Sequence, residues 1–303
     1  MKKSGENIII GIDHGYGYIK TASENIIKSG VEAIPVRPPF DEDIFEIGSR
    51  VFVAGQNRSE HMADKTVNED YYYLTLVGIA MELKANRMKN AKNVILAVGL
   101  PYSFFSAQKE SFRTYLIKKK SLNFSYEGEK YHVELKDVKV YPQGLPVLAM
   151  IMNQYRDKTV SIADIGSRTI DVITYRRGKP FYDMCFSLDK KGTLDWIDVI
   201  EKYYLSKYQE KIEEEDIQCI FQNQNTSISK SQLQYVKDLI KFYVKDVMKL
   251  LESKIPNTLV LCGGGATVVK NFYKCENKNI IIKEDIFCNA KGYELLAYNS
   301  MKK

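Results

Sequence analysis

No apolar run in this chain approaches the roughly 20 consecutive residues that a membrane-spanning helix requires, so no such helix is expected. Cysteine is scarce and scattered. The five residues Cys185, Cys219, Cys262, Cys275 and Cys288 are odd in number and contain no CxxC pair. That pattern argues against a disulfide framework or a thiolate zinc site, and for reduced thiols in a cytoplasm. Only three histidines occur, His14, His61 and His132, and none stands in an HExxH spacing, so a histidine-based metal site is not expected. The start, Met1 to Asn7, leads into only five apolar-leaning residues before Asp13, too few for a signal peptide. Low-complexity tracts, repeats of 20–50 residues, helix-turn-helix patterns and zinc-finger patterns are all missing, although a strand, an Asp-x-Gly turn and another strand occur near residue 13 and again near residue 164.

What is present is an ordinary globular composition. The 303 residues are 45% hydrophobic and 27% charged, long enough for two domains. The net charge is +6, with basic clusters at Lys84–Lys92 and Lys118–Lys120. These read as solvated helix faces and loops, and no direct sequence-specific DNA binding is expected.

The first half reads as buried strands followed by helices. Ile8–Ile12 and Val94–Leu100 are near-continuous apolar runs, as strands covered on both faces should be. Val31–Val36 and Phe45–Ala54 read as strands, the second turning at Gly48-Ser49-Arg50. Residues 71–88 show helical spacing, with Leu74, Val77, Met81 and Leu83. A hairpin is expected around Glu127-Gly128-Glu129, a separate strand at Val138–Tyr141, and a short helix at Leu145–Asn153. The second half repeats the theme. Thr159–Ile165 and Asp171–Tyr175 form a strand–turn–strand unit, and Gly192–Tyr204 reads as a helix. The clearest helix is Ser229–Ser253, capped by Ser229 or Ser231 and carrying Leu233, Val236, Ile240, Tyr243, Val247 and Leu250 on one face. Leu259–Cys262 is a strand that runs into Gly263-Gly264-Gly265, and Asn289–Ser300 closes the chain as a helix.

Three turns carry chemistry. The first holds Asp13, Gly15, Tyr16, Gly17 and Lys20. A carboxylate at a strand end can hold the water shell of Mg²⁺. Glycines let backbone amides curl around phosphate oxygens, and a lysine adds a point charge. The second turn, Asp164-Ile165-Gly166-Ser167-Arg168-Thr169, offers the same parts with hydroxyls in place of the lysine, while Asp171 lies in the strand beyond and reads as structural. The third, Gly263-Gly264-Gly265-Ala266, follows an apolar strand directly. Glycine costs a helix or strand roughly 0.5–1 kcal/mol relative to alanine, so a triplet there suggests close approach by something, such as a purine lying on a flat backbone surface.

Two Asp-x-Gly turns followed by a glycine triplet resemble the actin, sugar-kinase and chaperone ATPase superfamily, where such elements are two phosphate loops and an adenosine-binding turn. Tyr141-Pro142-Gln143-Gly144-Leu145-Pro146 and Asn289-Ala290-Lys291-Gly292-Tyr293-Glu294-Leu295 are similar to its two connecting helices. Within the superfamily the chain is most similar to the ParM/StbA-like bacterial actin homologues that segregate plasmids, through Ala97-Val98-Gly99-Leu100-Pro101, Asp13-His14-Gly15 with Ile19-Lys20, Asp164-Ile165-Gly166 with Arg168, Thr169 and Asp171, and Lys191-Gly192-Thr193-Leu194-Asp195.

The resemblance implies an α/β fold of two actin-like domains, each a mixed β-sheet flanked by helices, with a nucleotide cleft between them. The expected domains are 1–155, rejoined by 287–303, and 156–286. It implies ATP or GTP as the nucleotide, with Mg²⁺ held through water by Asp13 and Asp164. Lys20, Gly15, Tyr16, Gly17, Gly166, Ser167, Arg168 and Thr169 would line the phosphates, and Gly263 to Ala266 the purine. Gln143 would orient the lytic water, since a neutral amide positions rather than abstracts a proton. Many plasmid-segregation homologues carry Glu at that point and actin carries Gln. Arg168 stands where a small or hydroxyl residue is common; it either binds phosphate or pairs with a neighbouring acid. The implied partners are further copies of the chain in a filament and a DNA-binding adaptor, with a cytoplasmic location and no membrane. Two other readings are a small-molecule kinase of the same superfamily, for which residues 90–105 offer no catalytic aspartate, and a non-polymerising nucleotide switch.

Overall fold

The computed structural model describes residues 1–59 and 62–302; His61, one of the three histidines considered above, lies outside the described residues. The chain divides into one unit of Met1–Met150 with Phe287–Lys303 and a second of Ile151–Ile286.

The first unit opens with strands β1 (Lys2–Ser4), β2 (Asn7–His14), β3 (Tyr18–Thr21), β4 (Ile26–Lys28), β5 (Val31–Ile34), β6 (Ile44–Ile47) and β7 (Arg50–Ala54). Helix α1 (Asp70–Ala85), strand β8 (Asn90–Leu100), helix α2 (Tyr102–Leu116), strands β9 (Ser121–Tyr126) and β10 (Glu129–Pro142), and helix α3 (Leu145–Tyr155) follow. The strands form one mixed sheet of ten, in the order β4-β3-β2-β8-β10-β9-β6-β7-β5 with β1 antiparallel on β2. β2, β8 and β10 run parallel at its centre. β2 is buried at every position from Ile8 to His14, which is why its sequence is an apolar run rather than an alternation.

Among the elements that differ from the sequence expectation, two belong to the frame of the first sheet. Residues 129–142 are one strand, where the sequence reads as a hairpin arm and a separate strand. Its pairing with β8 shifts register between Val133 and Leu135 and again between Leu135 and Asp137, and these irregularities interrupt the period-two pattern. Helix α2 has no counterpart in the sequence reading because only Phe112, Tyr115 and Leu116 of its 15 residues are buried. Three apolar anchors make no readable stripe.

The second unit contains strands β11 (Thr159–Ile165), β12 (Thr169–Arg176), β13 (Lys179–Pro180) and β14 (Phe186–Asp189), helices α4 (Thr193–Tyr208), α5 (Glu214–Phe221) and α6 (Lys230–Lys254), strand β15 (Thr258–Cys262), helix α7 (Gly264–Phe272) and strand β16 (Ile280–Ile282). Its six-stranded sheet runs β13-β12-β11-β15-β16, with β14 paired to β12. Ser229 caps α6 through a reciprocal pair: its Oγ accepts from Gln232 N at 3.3 Å, and Ser229 N donates to Gln232 Oε1 at 3.0 Å. Val236, Ile240, Val244, Val247, Met248 and Leu251 form its buried face.

The last helix, α8 (Cys288–Ser300), returns to the first unit and packs on β2 and β8. It lies so close that a Cβ on Gly11 would stand 2.1 Å from the Ala290 carbonyl oxygen, and one on Gly99 would stand 1.8 Å from Tyr293 Oη. Both units are therefore mixed sheets flanked by helices, the α/β architecture expected from the sequence.

Candidate functional site

In the first unit, β2 ends at His14 and β3 begins at Tyr18, so Gly15-Tyr16-Gly17 is the whole turn. Antiparallel register sets Asp13 opposite Lys20, which places both side chains on one face of the sheet. Lys20 Nζ lies 3.9 Å from Asp13 Oδ2. At the end of β10, Gln143 N donates to Leu100 O at 2.9 Å, and Gln143 Nε2 donates to Asp13 Oδ1 at 3.4 Å. Three residues singled out in the sequence thus converge, with Asp13 only 4% exposed and Gln143 8%.

The carbonyl edge of this turn is fastened to the protein. The Lys65 ammonium donates to His14 O. Ser29 Oγ donates to Gly15 O at 2.6 Å, while Ser29 N and Arg58 Nε donate to Gly17 O at 3.0 and 3.3 Å. Lys65, Ser29 and Arg58 escape sequence reasoning because they lie in polar connecting segments with no periodicity. His14 is fully enclosed. Its Nε2 lies 2.8 Å from Thr75 Oγ1, and Thr75 donates its only proton to Tyr71 O at 2.5 Å, so His14 Nε2 carries the hydrogen. Burial and the neighbouring Lys65 ammonium push the imidazole down to about 3, which keeps it neutral.

In the second unit, Gly166-Ser167-Arg168 joins β11 to β12, closed by Gly166 N donating to Thr169 O at 2.9 Å. Helix α4 docks its first turn on this loop: Thr193 N donates to Gly166 O at 3.0 Å and Leu194 N to Ser167 O at 2.8 Å. Gly192 leads that helix, and its amide donates to Asp195 Oδ2 at 3.0 Å. The Arg168 guanidinium is held by Asp195 at 2.8 Å and Asp198 at 2.5 Å. Of the two roles open to it in the sequence, the structure displays the pairing with acids. Asp164, 5% exposed, stands opposite Asp171 on β12 and Cys262 on β15. Asp171 accepts from Thr169 Oγ1 at 2.9 Å and from Ser187 Oγ at 2.5 Å. It is a polar anchor inside the sheet, and it engages the Thr169 hydroxyl proton.

The glycine triplet is a strand-to-helix junction, with α7 starting at Gly264, rather than a flat surface of three equivalent residues. Gly263 has φ +82° and ψ 178°, a conformation essentially restricted to glycine. A Cβ there would stand 2.3 Å from Asp164 Oδ1, and a Cβ on Gly265 would stand 2.1 Å from Ile165 Cγ2. Only Gly264 faces open space, with nothing within 4 Å of an added Cβ. Ala266 is buried. Two of the three glycines therefore exist to let α7 approach the end of β11.

Among the described residues no group of three or more His, Cys, Asp or Glu side chains could cage a metal ion. One carboxylate at each of the two strand ends, Asp13 and Asp164, suits the chemistry of Mg²⁺, which keeps several waters and takes one or two carboxylates together with substrate phosphates. No helix among the described residues is long and apolar enough to cross a membrane.

The sequence matches the N-terminal domain family of actin-like proteins over residues 11–145 and the C-terminal domain family of the archaeal MreB-like actin homologue over residues 162–274. No curated protein matches it. Among solved structures, the archaeal actin homologue Ta0583 superposes with a TM-score of 0.75 at 18% identity, over 96% of this chain and 99% of that one. A ParM from a 15-stranded filament of Clostridium botulinum gives 0.73 at 17% identity, over 96% and 99%. Bacillus thuringiensis ParM with ATP gives 0.72 at 14% identity, over 98% and 100%. With one actin-family domain matched in each unit and the fold of actin homologues over nearly its whole length, the chain belongs to the actin-like proteins.

Proposed function

We propose that this actin-like protein is a nucleoside triphosphatase that binds Mg-ATP and assembles into nucleotide-dependent filaments, serving plasmid or DNA segregation through a DNA-binding adaptor. The observation that carries the reading is the meeting of Asp13, Lys20 and Gln143 beside a glycine turn whose His14, Gly15 and Gly17 carbonyls are tied back. Such a turn offers its amides to an anion. Lys20 would neutralise phosphate charge, and Gln143, already oriented by Asp13, would hold the attacking water in line. Little covalent work is asked of the protein in phosphoryl transfer, so positioning of this kind is the main contribution. In the second unit Asp164 would hold water of a Mg²⁺ shell, Gly166 and Ser167 would meet phosphate oxygens, and the open Gly264 would face the purine. Bound Mg²⁺ would supply charge neutralisation at the phosphates. Arg168 and Thr169 would support the loop through Asp195, Asp198 and Asp171.

Two neighbours support the reading in their own right: one ParM has been solved as a filament and another with ATP. The test is light scattering and pelleting of the purified protein with and without Mg-ATP or Mg-GTP, alongside phosphate release without any acceptor. ATP-dependent sedimentable polymer and acceptor-independent release are expected. Absence of polymer at micromolar concentrations across salt and nucleotide would remove the filament part, and release that requires an added acceptor would favour a small-molecule kinase instead.

A further inference from the structure

Lys65 lies in the segment between β7 and α1, and its side chain is one of the largest fully enclosed in the chain, 2% exposed by residue. Lysine is almost never buried without compensation. Here the ammonium donates to His14 O and sits over two aromatic faces, 4.5 Å from the Tyr16 ring centroid and 5.1 Å from that of Tyr71. The first two of these partners belong to the first phosphate turn or its entry; the third is on the helix behind it. A lysine that served only to fill the core could be an apolar residue of equal length. The charge has a use only if the turn needs a fixed donor and a positive field behind it.

We propose that Lys65 is a positioning residue for this turn. Its ammonium pins the His14 carbonyl and the Tyr16 ring, holds Gly15 to Gly17 in the shape that receives a polyphosphate, and adds a buried positive charge behind the turn. The segment that delivers it is itself braced, with Thr66 N donating to Asp64 Oδ1 at 2.9 Å and Ser59 Oγ to Asp70 Oδ2 at 2.6 Å. The carbonyl that Lys65 holds is next to Asp13, so movement of the segment is transmitted to the carboxylate that orients Gln143. Field strength supports the assignment, because a cation screened from water acts on a nearby anion far more strongly than one at the surface.

The inference rests on the nucleotide-binding reading above, and the experiment separates the two. Steady-state phosphate release and hydrogen exchange of the peptide covering residues 14–20 in nucleotide-free protein are measured for the wild type, Lys65→Met, Lys65→Arg and Leu83→Ala, the last a destabilised core control remote from the turn. Lys65→Met is expected to raise KM for Mg-ATP about tenfold with kcat within about threefold, the signature of lost ground-state binding, and to speed exchange in residues 14–20. Lys65→Arg should recover much of both, and Leu83→Ala should lower the melting temperature without moving either. If Lys65→Met fails to fold, Lys65→Gln is read in its place. Unchanged KM and exchange in the neutral variant, or equal changes in Leu83→Ala, overturn the inference. A wild type that releases no phosphate overturns the ATPase reading instead, while the exchange measurement still judges Lys65.

Discussion

A methyl group placed on Gly263 would stand 2.3 Å from Oδ1 of Asp164. The glycine junction and the second Asp-x-Gly turn are therefore one packed unit, and a side chain at Gly263 would push on the carboxylate proposed to act on Mg²⁺. Gly263→Ala is expected to lose about 2 kcal/mol or more of stability from backbone strain alone, with nucleotide binding lost alongside. Gly264→Ala, which meets nothing, should retain the wild-type melting temperature to within a few degrees and weaken nucleotide binding selectively. Thermal melts and titration with a fluorescent ATP analogue check the pair. Equal behaviour of the two variants would refute the distinction.

Asp164→Asn keeps the shape of a side chain that is almost completely enclosed. Phosphate release should fall about 100-fold or more, as when a preorganised electrostatic group is removed, while circular dichroism stays that of the wild type. Retained turnover would show that the second loop has been assigned the wrong task.

Gln143 is held by Asp13 rather than by solvent. Gln143→Ala should lower kcat about tenfold to 100-fold with KM nearly unchanged, because water positioning acts in the transition state. A rise in KM with kcat intact would place Gln143 in substrate binding instead.

Arg168 bridges the second loop to α4 through Asp195 and Asp198, and Asp198 is more than half exposed. With solvent screening of that kind, Arg168→Ala should cost only about 1 kcal/mol. The salt dependence of nucleotide binding should not change, since the guanidinium is engaged by two carboxylates. A flatter salt dependence in the variant would mean that Arg168 reaches the phosphates after all.

The strands that build the site were legible because they are buried on both faces: Ile8–Ile12, Val94–Leu100 and Thr159–Ile165 could hardly be anything else. The turns between them were legible because glycine and aspartate at strand ends serve few purposes. Helix α2 was not, since Phe112, Tyr115 and Leu116 are too few anchors to mark a face. Lys65 was not, because a lysine in a polar segment looks solvated until its neighbours Tyr16 and Tyr71 are brought over it by the fold. The same holds for Arg168, whose partners Asp195 and Asp198 lie 27 and 30 residues further on and reach it only once the sheet and α4 are in place. The glycine triplet carried the opposite lesson. Its density was visible, but which glycine faces a neighbour and which faces open space depends on where Asp164 and Ile165 lie.

Helix α8 follows the whole second unit in sequence, yet it covers β2 and β8 at the centre of the first sheet, where Ile9 and Ala97 cluster with Tyr293 and Ala297. During synthesis those two strands are made before the whole second unit, and the helix that covers them only after it. The second unit, continuous from residue 151 to 286, already has all its strands by then. Nascent chains thus carry a naked apolar stripe on Ile9 and Ala97 through most of translation, a natural target for holdase chaperones. The unit that is made first is the one that closes last.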